Sequence, residues 1–262
     1  MDIKGKNVII VGATGGMAKE VSKLLIKEDC KLALFARREE NLKEIAGSLT
    51  NDPKKVIYKR CDVTKREDII EAVAFAKKSF GSIDLAILSA GILIPNPIQT
   101  FDSSILKKSV DINFMGIVYA VEQLLPVMKK QRSGTIVALS TLPDRRGVPG
   151  WGAYGASKAA VSWLMESLRA EAKQRYNIDI ITVKPGSVDT PMIEEYHRQG
   201  AVTPERAAQY IVSGIKKNKK IIQFPLNQVL MIRIQDLFPV FAYDLMPVEL
   251  AKGDGYPQVD EE

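Results

Sequence analysis

The chain has 262 residues, 46% hydrophobic and 26% charged, the balance of a globular protein rather than a fibrous or disordered one. Its 37 basic and 31 acidic residues leave a formal charge of +6, which suits anionic small molecules or anionic lipid as readily as nucleic acid. One histidine, His197, and two cysteines, Cys30 and Cys61, exclude a zinc finger, a histidine-rich metal site and a disulfide framework, and leave a Ser-His-Asp hydrolase resting on His197 alone.

From the N-terminus, Met1 to Lys6 has no long apolar run behind its basic residues, which argues against a secretory signal. No stretch of about 18 uninterrupted apolar residues follows. Two thiols without a secretory address fit a reducing compartment, so a cytoplasmic protein is expected.

Asn7 to Val11 is a β-branched run that predicts a strand ending at glycines. A helix follows, with Val21, Leu24, Leu25 and Met17 as candidates for its inner face. Lys31–Ala36 reads as a second strand and Arg38 to Leu49 as a second helix. The unit repeats with a strand at Val56–Tyr58, a helix from Ile69 to Phe80 and a strand at Leu85–Leu88. Next come a long helix around Asp111–Lys130, a strand at Thr135–Leu139, a helix from Ala153 to Arg175 and a strand at Asp179–Lys184. Ala207–Lys217 reads as a last helix and Lys220–Phe224 as a last strand. Strands that are apolar throughout and alternate with helices predict an α/β fold, a doubly wound, Rossmann-type sheet of seven mostly parallel strands covered by helices on both faces. No Gly/Ser/Pro tract divides the chain, so one domain is expected over residues 1–225. An apolar extension, broken by Pro225, Pro239 and Pro247, fills residues 226–262 and ends in a polar tail.

The first strand runs into Gly12-Ala13-Thr14-Gly15-Gly16-Met17-Ala18. Such a turn lets the backbone approach a pyrophosphate, and the N-terminus of the next helix offers it unpaired N–H groups. Alone it is equally an ordinary strand-to-helix turn. The second strand ends in Ala36-Arg37-Arg38. A carboxylate there would accept from the adenosine ribose and repel a 2′-phosphate, whereas a guanidinium matches a phosphate in charge and in fork geometry. Arg37 and Arg38 therefore favour NADP(H) over NAD(H).

With these features the chain resembles the short-chain dehydrogenase/reductase family over roughly residues 5–225. The family's Gly-x3-Gly-x-Gly turn is matched by Gly12 and Gly16, with Ala18 in the third place as a mild departure. Asp62-Val63, Ser89-Ala90-Gly91, Asn113 and the segment from Pro185-Gly186 to Thr190 match further family positions. Tyr154-Gly155-Ala156-Ser157-Lys158 matches Tyr-x3-Lys, the most specific element. The resemblance implies a nicotinamide dinucleotide held by Gly12, Thr14, Gly15, Gly16 and Met17, by the adenine pair Asp62 and Val63, and by Ser89, Ala90 and Gly91. Tyr154 and Lys158, together with Pro185, Gly186, Val188 and Thr190, would complete that site.

Tyr154 and Lys158 lie four apart in a helical segment and so share a face. A phenol has a reference pKa near ~10, and a neighbouring ammonium should lower it toward the working range of acid/base chemistry. The resemblance implies transfer of the pro-S hydride to a ketone or aldehyde carbon, with Tyr154 giving the proton and Lys158 holding the ribose. The family's second hydroxyl stands thirteen residues before the tyrosine, which counts to Thr141; a one-residue register change at Pro143 would substitute Ser140. Asn113, a lone amide in an apolar helical run, is implied to hold a water that links the lysine to solvent.

The segment from Thr190 to Pro204 is short for a substrate lid and contains Glu194, Glu195, Tyr196 and His197, the last read as solvent-facing. Trp151 and Met192 are candidates for an apolar substrate pocket, and Trp163 and Met165 for core or interface positions. The extension is read three ways: a core-covering arm, an oligomer or pocket-closing arm, and a membrane-surface helix served by Lys216, Lys217, Lys219, Lys220 and Arg233. An NADP(H)-dependent carbonyl reductase acting on an apolar or lipid-like substrate (3-oxoacyl, steroid or sphingoid) is the expectation, as a homodimer or homotetramer by family resemblance. The alternative is a nonenzymatic dinucleotide sensor on the same fold. No aromatic-basic platform supports nucleic-acid binding, and no metal is expected.

Overall fold

A computed structural model describes residues 1–192 and 200–245. Seven strands form one sheet: β1 (Asn7–Val11), β2 (Lys31–Ala36), β3 (Val56–Arg60), β4 (Leu85–Leu88), β5 (Gly134–Leu139), β6 (Ile178–Pro185) and β7 (Ile221–Phe224). Their spatial order is β3-β2-β1-β4-β5-β6-β7 and every pairing is parallel. The chain therefore winds outward from β1 to β3, then crosses back to β4 on the other side. That reversal opens a crevice above the carboxyl ends of β1 and β4, the place where such sheets bind ligands.

Period-two alternation divides the strand side chains between two cores. Val8, Ile10, Leu32, Leu34, Val137 and Val183 pack against α1 (Gly16–Lys27), α2 (Glu39–Leu49) and α7 (Pro204–Lys216). Ile9, Val11, Phe35, Ala86, Ile136 and Ile180 face α3 (Arg66–Phe80), α5 (Gly116–Gln131) and α6 (Gly152–Tyr176). Both faces are thus covered, which is why the central strands read as unbroken apolar runs.

The expected strands all form, with ends shifted by one or two residues. The helix expected around Asp111–Lys130 begins earlier, at α4 (Ser103–Val110), and passes through a π-helical turn at Asp111–Met115 into α5. Asp102 starts it, accepting from the Ser104 N–H at 2.7 Å, a cap that the apolar pattern alone did not reveal. Ser103–Gln131 is long and apolar enough to cross a membrane by length and composition. Its apolar face, with Ile117, Val121, Leu124 and Met128, is instead buried in the second core.

Met165 is fully buried, and Trp163 is 78% exposed, which removes the core half of its core-or-interface reading. The extension forms α8 (Leu226–Asp236) and α9 (Val240–Asp244), and neither contributes a buried residue. Over the described residues the arm is at most half-buried, and several polar contacts tie it to the domain. Gln228 accepts from the Ser187 N–H at 2.8 Å and donates to the Gly200 carbonyl at 2.9 Å. Tyr243 donates to the Gly147 carbonyl at 2.6 Å. Arg233 pairs with Asp236 at 2.7 Å.

Candidate active site

The glycine turn sits at the crevice because the strands put it there. Gly12 and Ala13 both donate to the Phe35 carbonyl, at 2.8 and 3.1 Å, which ties the turn to the end of β2. Gly12 has φ +84°, and a side chain on it would overlap the Ala90 backbone. No other residue fits that crossing of the β1 and β4 turns. A Cβ on Gly16 would come within 2.9 Å of Thr190 Cγ2. Ala18 is 2% exposed, so the methyl in the third motif position is packed without strain.

A cleft of about 310 Å³ opens over this turn. Gly12, Thr14, Gly15, Gly16 and Met17 form its floor, and α1 presents its N-terminus there with no side-chain cap. Ala36, Arg37 and Arg38 bound one side, and Cys61, Asp62 and Val63 stand beside them. Ser89, Ala90, Gly91, Thr190 and Met192 line the rest. Arg37 and Arg38 are exposed, and neither has an ion pair with another described residue. Burial raises the Asp62 carboxyl, but hydrogen bonds from the Thr64 N–H and hydroxyl and the nearby Arg37 guanidinium outweigh it, leaving the group below the usual carboxylate range. An uncapped helix start, glycines that only a backbone can approach, and two unpaired guanidinium groups fit a phosphate-bearing dinucleotide.

The candidate catalytic side chains cluster where β4, β5 and α6 converge. Lys158 is 4% exposed and donates from Nζ to the Leu139 carbonyl at 2.9 Å. Burial pushes its ammonium down to about 8. Tyr154 lies one helical turn earlier, its ring centroid 6.0 Å from Lys158 Nζ. Thr141 stands near enough to Tyr154 for its hydroxyl to oppose part of the phenol's shift. The expectation that the lysine draws the phenol below its ordinary value is corrected: burial raises the Tyr154 phenol, and Thr141 only partly opposes this.

Thr141 and Ser140 are both buried, at 6% and 2% exposure, but they face different partners. The Ser140 hydroxyl donates to the Lys158 carbonyl at 2.8 Å and shares a hydrogen bond of 2.8 Å with Ser162 Oγ. It braces α6 against the end of β5, while Thr141 neighbours the phenol.

Asn113 is fully buried in the π turn. Its amide accepts from the Ile92 N–H at 2.7 Å and donates to the Ile92 carbonyl at 3.0 Å and to Ser157 Oγ at 2.9 Å. Ser157 in turn donates to the Tyr154 carbonyl at 2.7 Å. Asn113 thus ties the chain after β4 to the helix that carries Tyr154. A Cβ on Gly91 would lie 3.2 Å from both Asn113 Oδ1 and Lys158 Nζ, so glycine leaves room for both groups.

Several expected residues lie elsewhere. Tyr154, Lys158, Pro185, Gly186, Val188 and Trp151 are not among those lining the cleft. Pro185 ends β6, Gly186 donates to the Phe224 carbonyl at 2.8 Å, and Val188 is buried in a bridge with Val202. Trp151 caps the start of α6 and donates its N–H to the Val148 carbonyl at 3.0 Å. His197, Glu194, Glu195, Tyr196 and Met246 fall outside the described residues. Ile92, Ile112, Cys61 and Pro191 line the cleft without having been singled out. Ser157 was visible only as a spacer within Tyr-x3-Lys; its link to Asn113, 44 residues away, has no local signal.

A parallel sheet with a glycine turn at its switch point, beside a half-buried tyrosine and a buried lysine, is the arrangement of a dinucleotide-binding oxidoreductase fold. Residues 6–200 match the short chain dehydrogenase family. The chain belongs to that family and is an oxidoreductase of the kind whose fold binds a nicotinamide dinucleotide. It is 33% identical over 234 residues to an uncharacterized oxidoreductase of Listeria monocytogenes, covering 84% of this chain and 94% of the relative. It is 29% identical over 192 residues to an uncharacterized oxidoreductase of Staphylococcus aureus, covering 73% and 82%. In fold it resembles levodione reductase, with a TM-score of 0.78 at 23% identity over 87% of this chain and 98% of that one. A Burkholderia phymatum short-chain dehydrogenase/reductase in complex with NAD gives a TM-score of 0.82 at 20% identity over 89% and 93%. A Thermococcus sibiricus alcohol dehydrogenase complexed with 5-hydroxy-NADP gives 0.73 at 21% over 84% and 95%.

Proposed function

We propose that the protein reduces a ketone or aldehyde to an alcohol with NADPH. The observation that carries this reading is the cluster of Thr141, Tyr154 and Lys158, assembled beside a cleft whose β2 side bears Ala36, Arg37 and Arg38. A bound reduced nicotinamide would supply the hydride. Tyr154 then delivers its proton to the developing alkoxide, and Thr141 donates a hydrogen bond to the same oxygen. The raised phenol suits a group that must hold a proton until the alkoxide forms. Lys158, close to neutrality at about 8, can return a proton toward Tyr154 after each turnover and donate to ribose hydroxyls. Met192 and Ile92 at the cleft favour an apolar substrate. Titration of NADPH fluorescence followed by turnover on a panel of carbonyl compounds tests the reading. Tight binding without turnover of any carbonyl would favour the sensor instead.

Cofactor choice is tested at Arg37. Arg37→Ala should weaken NADPH binding by about ten- to a hundredfold, the worth of one charge-assisted contact, and leave NADH nearly unchanged. Equal affinity of the unmodified protein for both cofactors would remove the basis for this preference.

The two neighbouring hydroxyls should separate cleanly. Thr141→Val removes only the hydroxyl and should lower turnover by about a hundredfold, with little change in dinucleotide affinity. Ser140→Ala should cost on the order of 1–2 kcal/mol of stability through its lost bonds to α6, with a smaller effect on turnover. Steady-state kinetics and urea unfolding on both variants measure this; the reverse order would assign the carbonyl-polarising role to Ser140.

A further inference from the structure

The stretch that carries Thr141 is unusually restrained as it leaves β5. Ser140 N–H donates to the Val183 carbonyl at 2.8 Å and Leu142 N–H to the Pro185 carbonyl at 2.9 Å, so Thr141 is bracketed by two bonds to β6. Asp144 N–H then turns back to the Leu142 carbonyl at 2.9 Å, folding the chain tightly around Pro143. Between the two β6 acceptors stands Lys184, whose ammonium is paired with the Asp144 carboxylate. The side chains are only 8% and 2% exposed.

Such a pair is a poor source of stability, because desolvating both charges can outweigh their attraction. This one is not even fully satisfied: Asp144 Oδ1 has no hydrogen-bond partner among the described residues. What the pair does supply is a fixed link from β6 to the third residue after Thr141. A hydroxyl that must meet both a phenol and a reacting oxygen needs its backbone held closely, since misplacement by about 1 Å can cost a hundredfold in rate.

We propose that Asp144 and Lys184 are positioning residues that hold the Thr141 hydroxyl in register with Tyr154. The proposal rests on the reading of Thr141 as the donor to the carbonyl oxygen. Neither side chain needs to touch substrate or dinucleotide; they act by clamping the turn.

The test replaces the pair by apolar residues of similar size, Asp144→Leu together with Lys184→Met. Substitutions of this kind are often neutral or stabilising, so the fold should survive with an equal or higher Tm. NADPH affinity should stay the same, while kcat falls by about tenfold or more and the KM of the carbonyl substrate changes little. Combined with Thr141→Val, the pair substitution should cause no further loss, because residues that act through one another are not additive. Should the apolar pair fail to fold, Lys184→Gln breaks the same link by shortening the arm and should give a loss that likewise vanishes on the Thr141→Val background. An unchanged kcat in a folded variant, or losses that add to that of Thr141→Val, overturns the proposal alone. Full turnover by Thr141→Val itself overturns the role of Thr141 and this proposal with it.

Discussion

Tyr154→Phe should nearly abolish carbonyl reduction, by about a thousandfold or more, while the protein folds and binds NADPH as before. The variant keeps the ring, and with it the packing of α6, but loses the proton that Tyr154 would deliver to an alkoxide. General acid catalysis contributes about 10²–10⁴-fold in such steps. The unmodified enzyme should reduce well up to alkaline pH, since burial holds the phenol above its ordinary value and keeps it protonated there. Oxidation of the alcohol, which needs the phenolate, should demand higher pH than reduction does. Stopped-flow and steady-state rates across pH test both statements. Substantial reduction by Tyr154→Phe would sink the mechanism.

Lys158→Met should lose turnover to a similar degree and also weaken the dinucleotide, yet yield a more stable protein at neutral pH. The lysine's value falls from 10.5 in the ordinary state to about 8 in the fold, because burial disfavours the ammonium. At pH 7 it is charged in both folded and unfolded chains, so its burial penalty, on the order of 3 kcal/mol, is fully present. Between about pH 8 and 10.5 the unfolded chain holds more protons than the folded one, so the parent gains stability as pH rises. Methionine carries no charge and shows no such gain. Losing the bond to the Leu139 carbonyl costs about 1 kcal/mol in return. Chemical unfolding should therefore find Lys158→Met more stable than the parent by about 2 kcal/mol at pH 7, with the gap closing toward pH 10. A variant that is less stable at pH 7 would contradict the buried-ammonium account. Function is retained here against stability, a common trade at active sites.

Much of this was legible in the residues. Seven apolar runs separated by helical spacing specified a parallel sheet buried on both faces, because only a strand covered twice has no use for alternating polarity. The turn from Gly12 to Ala18 and the Tyr154–Lys158 spacing carried the cofactor and acid/base expectations, since each depends on neighbours within one turn of chain. Thr141 could be counted from Tyr154, but its preference over Ser140 remained open to a slip of one residue. The tertiary structure adds that Ser140 is engaged by α6, through the Lys158 carbonyl and Ser162.

The sequence by itself determined the architecture, the phosphate-binding turn and the family, all of which rest on local periodicity and short spacings. Tertiary structure decided what depends on groups far apart in the chain. It placed Trp163 on the surface and Met165 in the core, although both lie on α6 two residues apart. It reversed the expected direction of the Tyr154 shift, because desolvation comes from every element packed around the phenol and a neighbouring lysine is only one of them. It joined Asn113 to Ser157 and Asp144 to Lys184 across 44 and 40 residues, links that exist only once β4, β5 and β6 lie side by side. A motif records which chemistry is available; burial and distance, which arise only on folding, set the protonation and alignment of the groups that perform it.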